Sequence, residues 1–139
     1  MKQFTASNFI GLCNIDEDFE PYLIKMNELA VKYKITVKIN SSYRPDANVK
    51  GAIVKPSTRS NHMVGHAIDC NLVFDGKLYN SKLMQADTGA VKEFINAVVK
   101  SGLRWGGNFK IHDPVHFDSG LNINNPTLWD IKYNQIHKQ

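Results

Sequence analysis

The stretch Ser60-Asn-His-Met-Val-Gly-His-Ala-Ile-Asp69 carries two residues suited to hold a zinc ion, His62 and Asp69, on either side of a small-residue turn. Gly65 allows the backbone to turn tightly after His62, and Ala67-Ile-Asp-Cys-Asn-Leu-Val-Phe74 reads as a strand. Strand side chains alternate faces, so Ala67, Asp69 and Asn71 share one side while Ile68, Cys70 and Leu72 share the other. Asp69 therefore stands on a rigid rung and His62 on the loop that feeds it. Two ligands do not make a site. A third is offered near the far end by Asp113-Pro-Val-His116-Phe117, with His112 as the rival of His116. Two imidazoles and one carboxylate leave a fourth position open to water, which is the pattern of a catalytic zinc rather than a structural one. Such a zinc lowers the pKa of bound water toward ~7 and polarises a carbonyl. Asp113 stands three residues before His116, and a turn at Pro114 would bring its carboxylate toward that water. The pair Asp-Pro is also an ordinary turn former, and the two roles are compatible.

The elements that must position these residues can be read in chain order. Tyr22, Leu23, Met26, Leu29, Ala30 and Tyr33 recur at helical spacing and predict a helix over Asp18–Lys34. Acidic residues crowd its first turn, as the helix dipole favours. Ile35, Val37 and Ile39 alternate on the strand that follows, which runs out at Ser42-Tyr43-Arg44-Pro45. Taken alone, Arg44 is a surface residue at a strand exit. Residues 45–59 form a loop expected to rim the cleft, since loops of this length in compact domains are often functional. Asp75-Gly76 signals a hairpin with a short return strand at Lys77–Tyr79, and residues 81–87 are either a helical turn or a loop.

A second helix is predicted over Thr88–Ser101, with Val91, Phe94, Ile95, Val98 and Val99 buried, Asp87 or Thr88 as cap and Gly102 as stop. Short strands follow at Leu103–Trp105 and Val115–Asp118, with Gly106-Gly107 as a turn or bulge between them. Asn125 and Pro126 open a C-terminal helix bearing Leu128, Trp129, Lys132, Tyr133 and Ile136. The expected fold class is α+β: one small domain over residues 1–139, with an antiparallel sheet flanked by helices and the metal site on the sheet.

Composition narrows the function classes. The 139 residues are 42% apolar and 22% charged, ordinary for a soluble globular protein with a sizeable core. The net charge of +4 comes from Lys and Arg scattered singly, so no nucleic-acid groove is expected. A diffuse attraction to an anionic wall polymer fits the charge. Two cysteines, Cys13 and Cys70, do not make a disulfide framework, and Cys70 should serve as a small core hydrophobe. No run approaches the ~20 apolar residues of a membrane span. The N-terminus lacks the apolar core of a secretory signal, so synthesis in the cytoplasm is expected, with no membrane partner.

Ser60-x-His62-x-x-Gly65-x-Ala67-x-Asp69, followed by Trp105-Gly-Gly and Asp113-x-x-His116-Phe117, resembles the zinc D-alanyl-D-alanine peptidases. That family includes D,D-carboxypeptidases, D,D-dipeptidases and phage L-alanyl-D-glutamate endopeptidases. The resemblance extends from about Ser41 to Phe117. It implies a Zn2+ cofactor on His62, Asp69 and His116, with His116 preferred to His112 because Phe117 follows it. It implies Asp113 as general base, Ser60 as a substrate-binding residue, and Arg44, from a similar Ser-x-Tyr-Arg strand end, as the cation that reaches the substrate carbonyl. A guanidinium stays charged and presents fixed donors, which suits it to an oxyanion. The pattern leaves the position of His66 free. Two departures stand out: Cys70 in place of a plain aliphatic, and Asp118 one carbon shorter than the expected Glu.

The function implied is hydrolysis of a peptide bond in peptidoglycan stem peptides, by an L-alanyl-D-glutamate endopeptidase or a D,D-carboxypeptidase acting as a monomer. Small size is shared with phage lysis enzymes, which reach the wall after release from the cytoplasm. Two other readings compete. One is a zinc-containing, non-catalytic binding module of Hedgehog-like fold, against which Asp113 and Arg44 together argue. The other is a domain that zinc merely staples.

Overall fold

The protein is described by a computed structural model over residues 1–45 and 59–138. The expected rim loop therefore lies, apart from its two end residues, outside the described residues. Two helices cover one face of a sheet, and the site residues stand on the other.

The first long helix, α1, spans Glu20–Tyr33 after a single 3-10 turn at Glu17–Phe19, close to the expected limits. It stops at Lys34, whose left-handed backbone (φ 58°) returns its N–H to the carbonyls of Ala30 and Val31. The chain then enters β4 (Ile35–Ser41). The motif strand β5 (Ala67–Phe74) has the predicted limits, and the Asp75-Gly76 turn leads into β6 (Lys77–Tyr79). The ambiguous segment is a helix, α2 (Ser81–Ala86), because the Asn80 side chain accepts from the N–H of Leu83 and caps it. Helix α3 (Ala90–Lys100) begins slightly later than Thr88. The Asp87 carboxylate accepts from the N–H groups of Gly89 and Lys92 at 3.0 and 2.8 Å, so capping comes from outside the helix. Strands β7 (Arg104–Trp105) and β8 (His116–Asp118) follow. After them come α4 (Leu121–Asn124), which no sequence signal marked, and α5 (Pro126–His137), capped by Asn125 as expected.

Strand β2 (Phe9–Ile10) pairs parallel to β4. The sheet runs β2-β4-β5-β8-β7, with β6 also on β5, and is antiparallel except at the β2 edge. Strands β1 (Lys2–Gln3) and β3 (Asn14–Ile15) form a separate antiparallel pair. Two-residue strands are too short to show alternation, and burial of Phe4, Phe9, Cys13 and Ile15 is what holds them. Strand β5 shares one edge between β8, at its start, and β6, at its end.

Alternation sorts the side chains of the sheet. Val37 lies opposite Leu72, Ile39 opposite Cys70, Ile68 opposite Phe117 and Phe117 opposite Trp105. All are buried in one core with Leu23, Met26 and Ala30 of α1 and Phe94, Ile95 and Val98 of α3. Each buried Val, Leu, Ile, Met or Phe side chain among them contributes roughly 1.5–3 kcal/mol. Cys70 is wholly buried there, as expected of a small hydrophobe. The opposite face carries Asp69, His116, Asp118 and Arg104 through the pairs Asp69–His116 and Arg104–Asp118. A second, smaller cluster of Met63, Val64 and Trp129, with Leu121, Tyr133 and Ile136 against it, seats α5 beneath the Ser60–Gly65 loop.

Candidate metal centre

Register brings the first two ligands together. Asp69 on β5 and His116 on β8 are direct antiparallel partners, so their side chains leave the same face side by side. His62 arrives on a 3-10 turn (Asn61–Val64) that Ser60 caps by accepting from the N–H of His62 at 3.3 Å. The turn closes at Gly65 in the left-handed region (φ 74°), and a Cβ there would lie 2.4 Å from the backbone nitrogen of Asp16. Only glycine fits. The strand on the other side cooperates: a register shift between Ile39 and Ser41 sets Ser41 opposite Asp69, and the carbonyl of Ser42 lies 2.7 Å from Nδ1 of His62.

These contacts decide which nitrogen of each ring is free. A carbonyl only accepts, so Nδ1 of His62 carries the hydrogen and Nε2 is left facing Asp69 Oδ1 at 3.2 Å. His116 is arranged the other way round. Its Nε2 donates to Asp118 Oδ2 at 2.6 Å, and its Nδ1 faces Asp69 Oδ1 at 3.3 Å. One ligand atom from each of His62, Asp69 and His116 lies within 4.8 Å of the others. This donor set fits zinc: two borderline nitrogen donors and a carboxylate converge, and each imidazole has its second nitrogen held by an acceptor.

The electrostatics match a site built for a cation. Burial works against ionisation of Asp69, but hydrogen bonds from His116 and His62 outweigh it and hold its carboxyl well below the usual range. Burial likewise opposes charge on His116, and there the hydrogen bonds to Asp118 and Asp69 win, pushing its pKa up to about 9. Asp118 is almost wholly buried, and its bonds to His116 and Arg104 overcome that burial and bring it to about 2. Without a cation, His116 therefore holds the proton that a metal would replace.

The remaining expected site residues take different positions. Arg44 is half exposed at the edge of the cluster, its Nη2 3.8 Å from Asp69 Oδ2 and its backbone N–H bonded to the carbonyl of His62 at 3.0 Å. Asp113 is exposed and its carboxylate has no hydrogen-bond partner among the described residues, while its backbone is firmly held. Its N–H donates to the Gly106 carbonyl at 2.9 Å, and its own carbonyl accepts from the N–H of His116 at 3.0 Å. A Cβ on Gly106 would stand 2.1 Å from that carbonyl oxygen, so the glycine permits the approach. The Trp105 indole N–H donates to the Pro114 carbonyl at 2.7 Å and secures the same turn. The Ser60 hydroxyl is engaged in capping, and its carbonyl accepts from the Trp129 indole at 3.2 Å. His66 is buried away from the cluster, between Asp16 (2.8 Å) and Ser119 (2.9 Å). His112 is exposed and not a member of the cluster.

Sequence reasoning treated Asp118 only as a shortened Glu and missed its bond to His116. The signal was available: positions 116 and 118 of one strand share a face. No comparable signal announced the Ser42 carbonyl, because a backbone acceptor has no residue type to read.

Fold and site together define a small α+β protein in which His62, Asp69 and His116 could hold a metal ion. Residues 54–119, which contain His62, Asp69, His116 and Asp113, match the family model described as D-alanyl-D-alanine carboxypeptidase. Over that stretch, just under half of the chain, the protein is similar to this family of peptidases. Three chains of solved structures match it. One is the Serratia marcescens L-Ala D-Glu endopeptidase ChiX, 18% identical, with 70% of this chain and 77% of that one covered at a TM-score of 0.44. No curated protein matches.

Proposed function

We propose that the protein is a zinc-dependent hydrolase that cuts a peptide bond in the stem peptides of peptidoglycan, as an L-alanyl-D-glutamate endopeptidase or a D,D-carboxypeptidase. The observation that carries this reading is the convergence of His62 Nε2, Asp69 and His116 Nδ1, with the opposite nitrogen of each ring already bonded. Zinc held there would supply Lewis acidity, making water a nucleophile near neutral pH and polarising the scissile carbonyl. Asp113 takes the proton of the attacking water and passes it to the leaving amine. Its carboxylate, exposed and without a partner among the described residues, supports this role, since a base must reach both. Arg44 donates from its guanidinium to the developing oxyanion, a role supported by its approach to the Asp69 edge of the cluster. Ser60 keeps its own hydroxyl hydrogen to offer the substrate while its oxygen caps the turn.

Mass spectrometry of peptides released from purified peptidoglycan tests the reading and separates its two forms. Release of free D-alanine identifies a carboxypeptidase, and a new D-glutamate amino terminus identifies the endopeptidase. A wild-type protein that holds zinc but releases nothing under any metal loading overturns it in favour of the non-catalytic module.

A further inference from the structure

His62 stands on a turn and His116 on a strand, and a line of polar side chains connects the two. From His116 the line passes to Asp118, which accepts from Nε2. Arg104 grips the same carboxylate with both Nε and Nη2, each at 2.8 Å, and the Gly120 N–H adds a bond at 2.8 Å. The guanidinium also donates to the side-chain oxygen of Asn122 at 3.3 Å. That oxygen accepts from the Asn61 amide at 2.9 Å, and the backbone N–H of Asn122 returns a bond to Asn61 Oδ1 at 3.0 Å. The Asn122 amide spends its own donor on the Arg59 carbonyl at 2.9 Å. Asn61 is 2% exposed and immediately precedes His62. Phe109 closes the outer side, its ring 5.7 Å from that of His116 and 4.9 Å from the Arg104 guanidinium.

Each side chain in this line is bonded to the next, and such a connected polar network favours one arrangement. A carboxylate pinned by a bidentate guanidinium cannot rotate, so the ring it accepts from cannot either. Asn122 lies beyond the stretch that matches the family model, on α4. We infer that Arg104 and Asn122 are positioning residues of the metal centre. Arg104 fixes Asp118 so that Nδ1 of His116 faces the metal. Asn122 ties that assembly to Asn61, and hence to the turn that presents Nε2 of His62. The inference rests on the zinc reading above and adds the residues that set the geometry between the two imidazoles.

The test compares wild type with Arg104→Lys, Asn122→Ala and the double variant. Zinc affinity is measured by competition with a chelator, geometry by the visible spectrum of the cobalt-substituted proteins, and folding by circular dichroism of the metal-free forms. Lysine keeps the charge opposite Asp118 but lacks the fork. Removing such an outer partner typically costs ~10–100-fold in metal affinity, expected here for Arg104→Lys, with about tenfold for Asn122→Ala. Both should alter the cobalt bands. Because the two side chains are bonded to each other within one network, the double variant should lose less than the product of the single losses. Affinities within about twofold of wild type and unchanged cobalt spectra overturn the inference. If Arg104→Lys does not fold, Asn122→Ala decides alone, on the same two readouts. Wild type that binds zinc yet releases no wall peptide overturns the hydrolase reading alone, since affinity and spectra still decide this one. Wild type that binds neither zinc nor cobalt overturns both.

Discussion

His62 and His116 offer opposite ring nitrogens to one carboxylate oxygen: Nε2 of the first lies 3.2 Å and Nδ1 of the second 3.3 Å from Asp69 Oδ1. The choice is made by acceptors behind each ring, the Ser42 carbonyl for His62 and the Asp118 carboxylate for His116. Single substitutions of the three ligands should each abolish stoichiometric zinc binding, whereas His112→Ala should keep it. Metal analysis of the purified variants checks this, and full zinc in His116→Ala would refute the ligand set.

Asp113 should fail differently from Asp69. A general base need not hold the metal, so Asp113→Asn is expected to fold, retain zinc and lose about 10²–10⁴ in turnover. Asp69→Asn should lose metal first and activity as a consequence. A zinc assay and a peptidoglycan-release assay read the two effects separately.

Arg44→Lys should bind zinc normally and lose ~10²–10³ in turnover, the usual cost of one preorganised oxyanion donor. An ammonium has no planar fork with which to replace it. Unchanged turnover would return Arg44 to the role of a surface residue.

Zinc uptake should release a proton. In the metal-free protein His116 has its pKa pushed up to about 9, against an ordinary 6.5. Its contribution to stability is fully present below pH ~6.5 and is lost as pH rises through about 9. The melting temperature of the metal-free protein should therefore fall across that window. Zinc must displace this proton, so affinity should rise by about tenfold per pH unit up to pH ~9 and weaken toward acid. Titration calorimetry in buffers of different ionisation enthalpy counts the proton directly.

Gly106→Ala should damage both stability and turnover. The added Cβ would stand 2.1 Å from the Asp113 carbonyl oxygen, so the turn must move. Overpacking of this kind typically costs ~1–3 kcal/mol. Because the turn carries Asp113 into His116, activity should fall further than the loss of folded protein explains. Thermal melting beside turnover per folded molecule checks it.

Local signals carried much of this molecule. The apolar spacing of Leu23, Met26 and Ala30, the alternation of Ile35, Val37 and Ile39, and the cap-and-proline pair Asn125-Pro126 each act within a few residues. For that reason α1, β4, β5 and α5 were legible one by one. The ligand types were legible too, since a metal asks for imidazole and carboxylate whatever the fold. What the sequence could not contain was register. Whether Asp69 faces His116 or its neighbour depends on which residues of β5 and β8 pair, and a slip of one position would turn every side chain to the other face. The short N-terminal strands were silent because two residues show no period. Other partners of the two rings were hidden for a related reason. Ser42, Arg104 and Asn122 become neighbours of the site only through strand pairing and the docking of α4, so long-range packing of the core determined how the ligands are aimed.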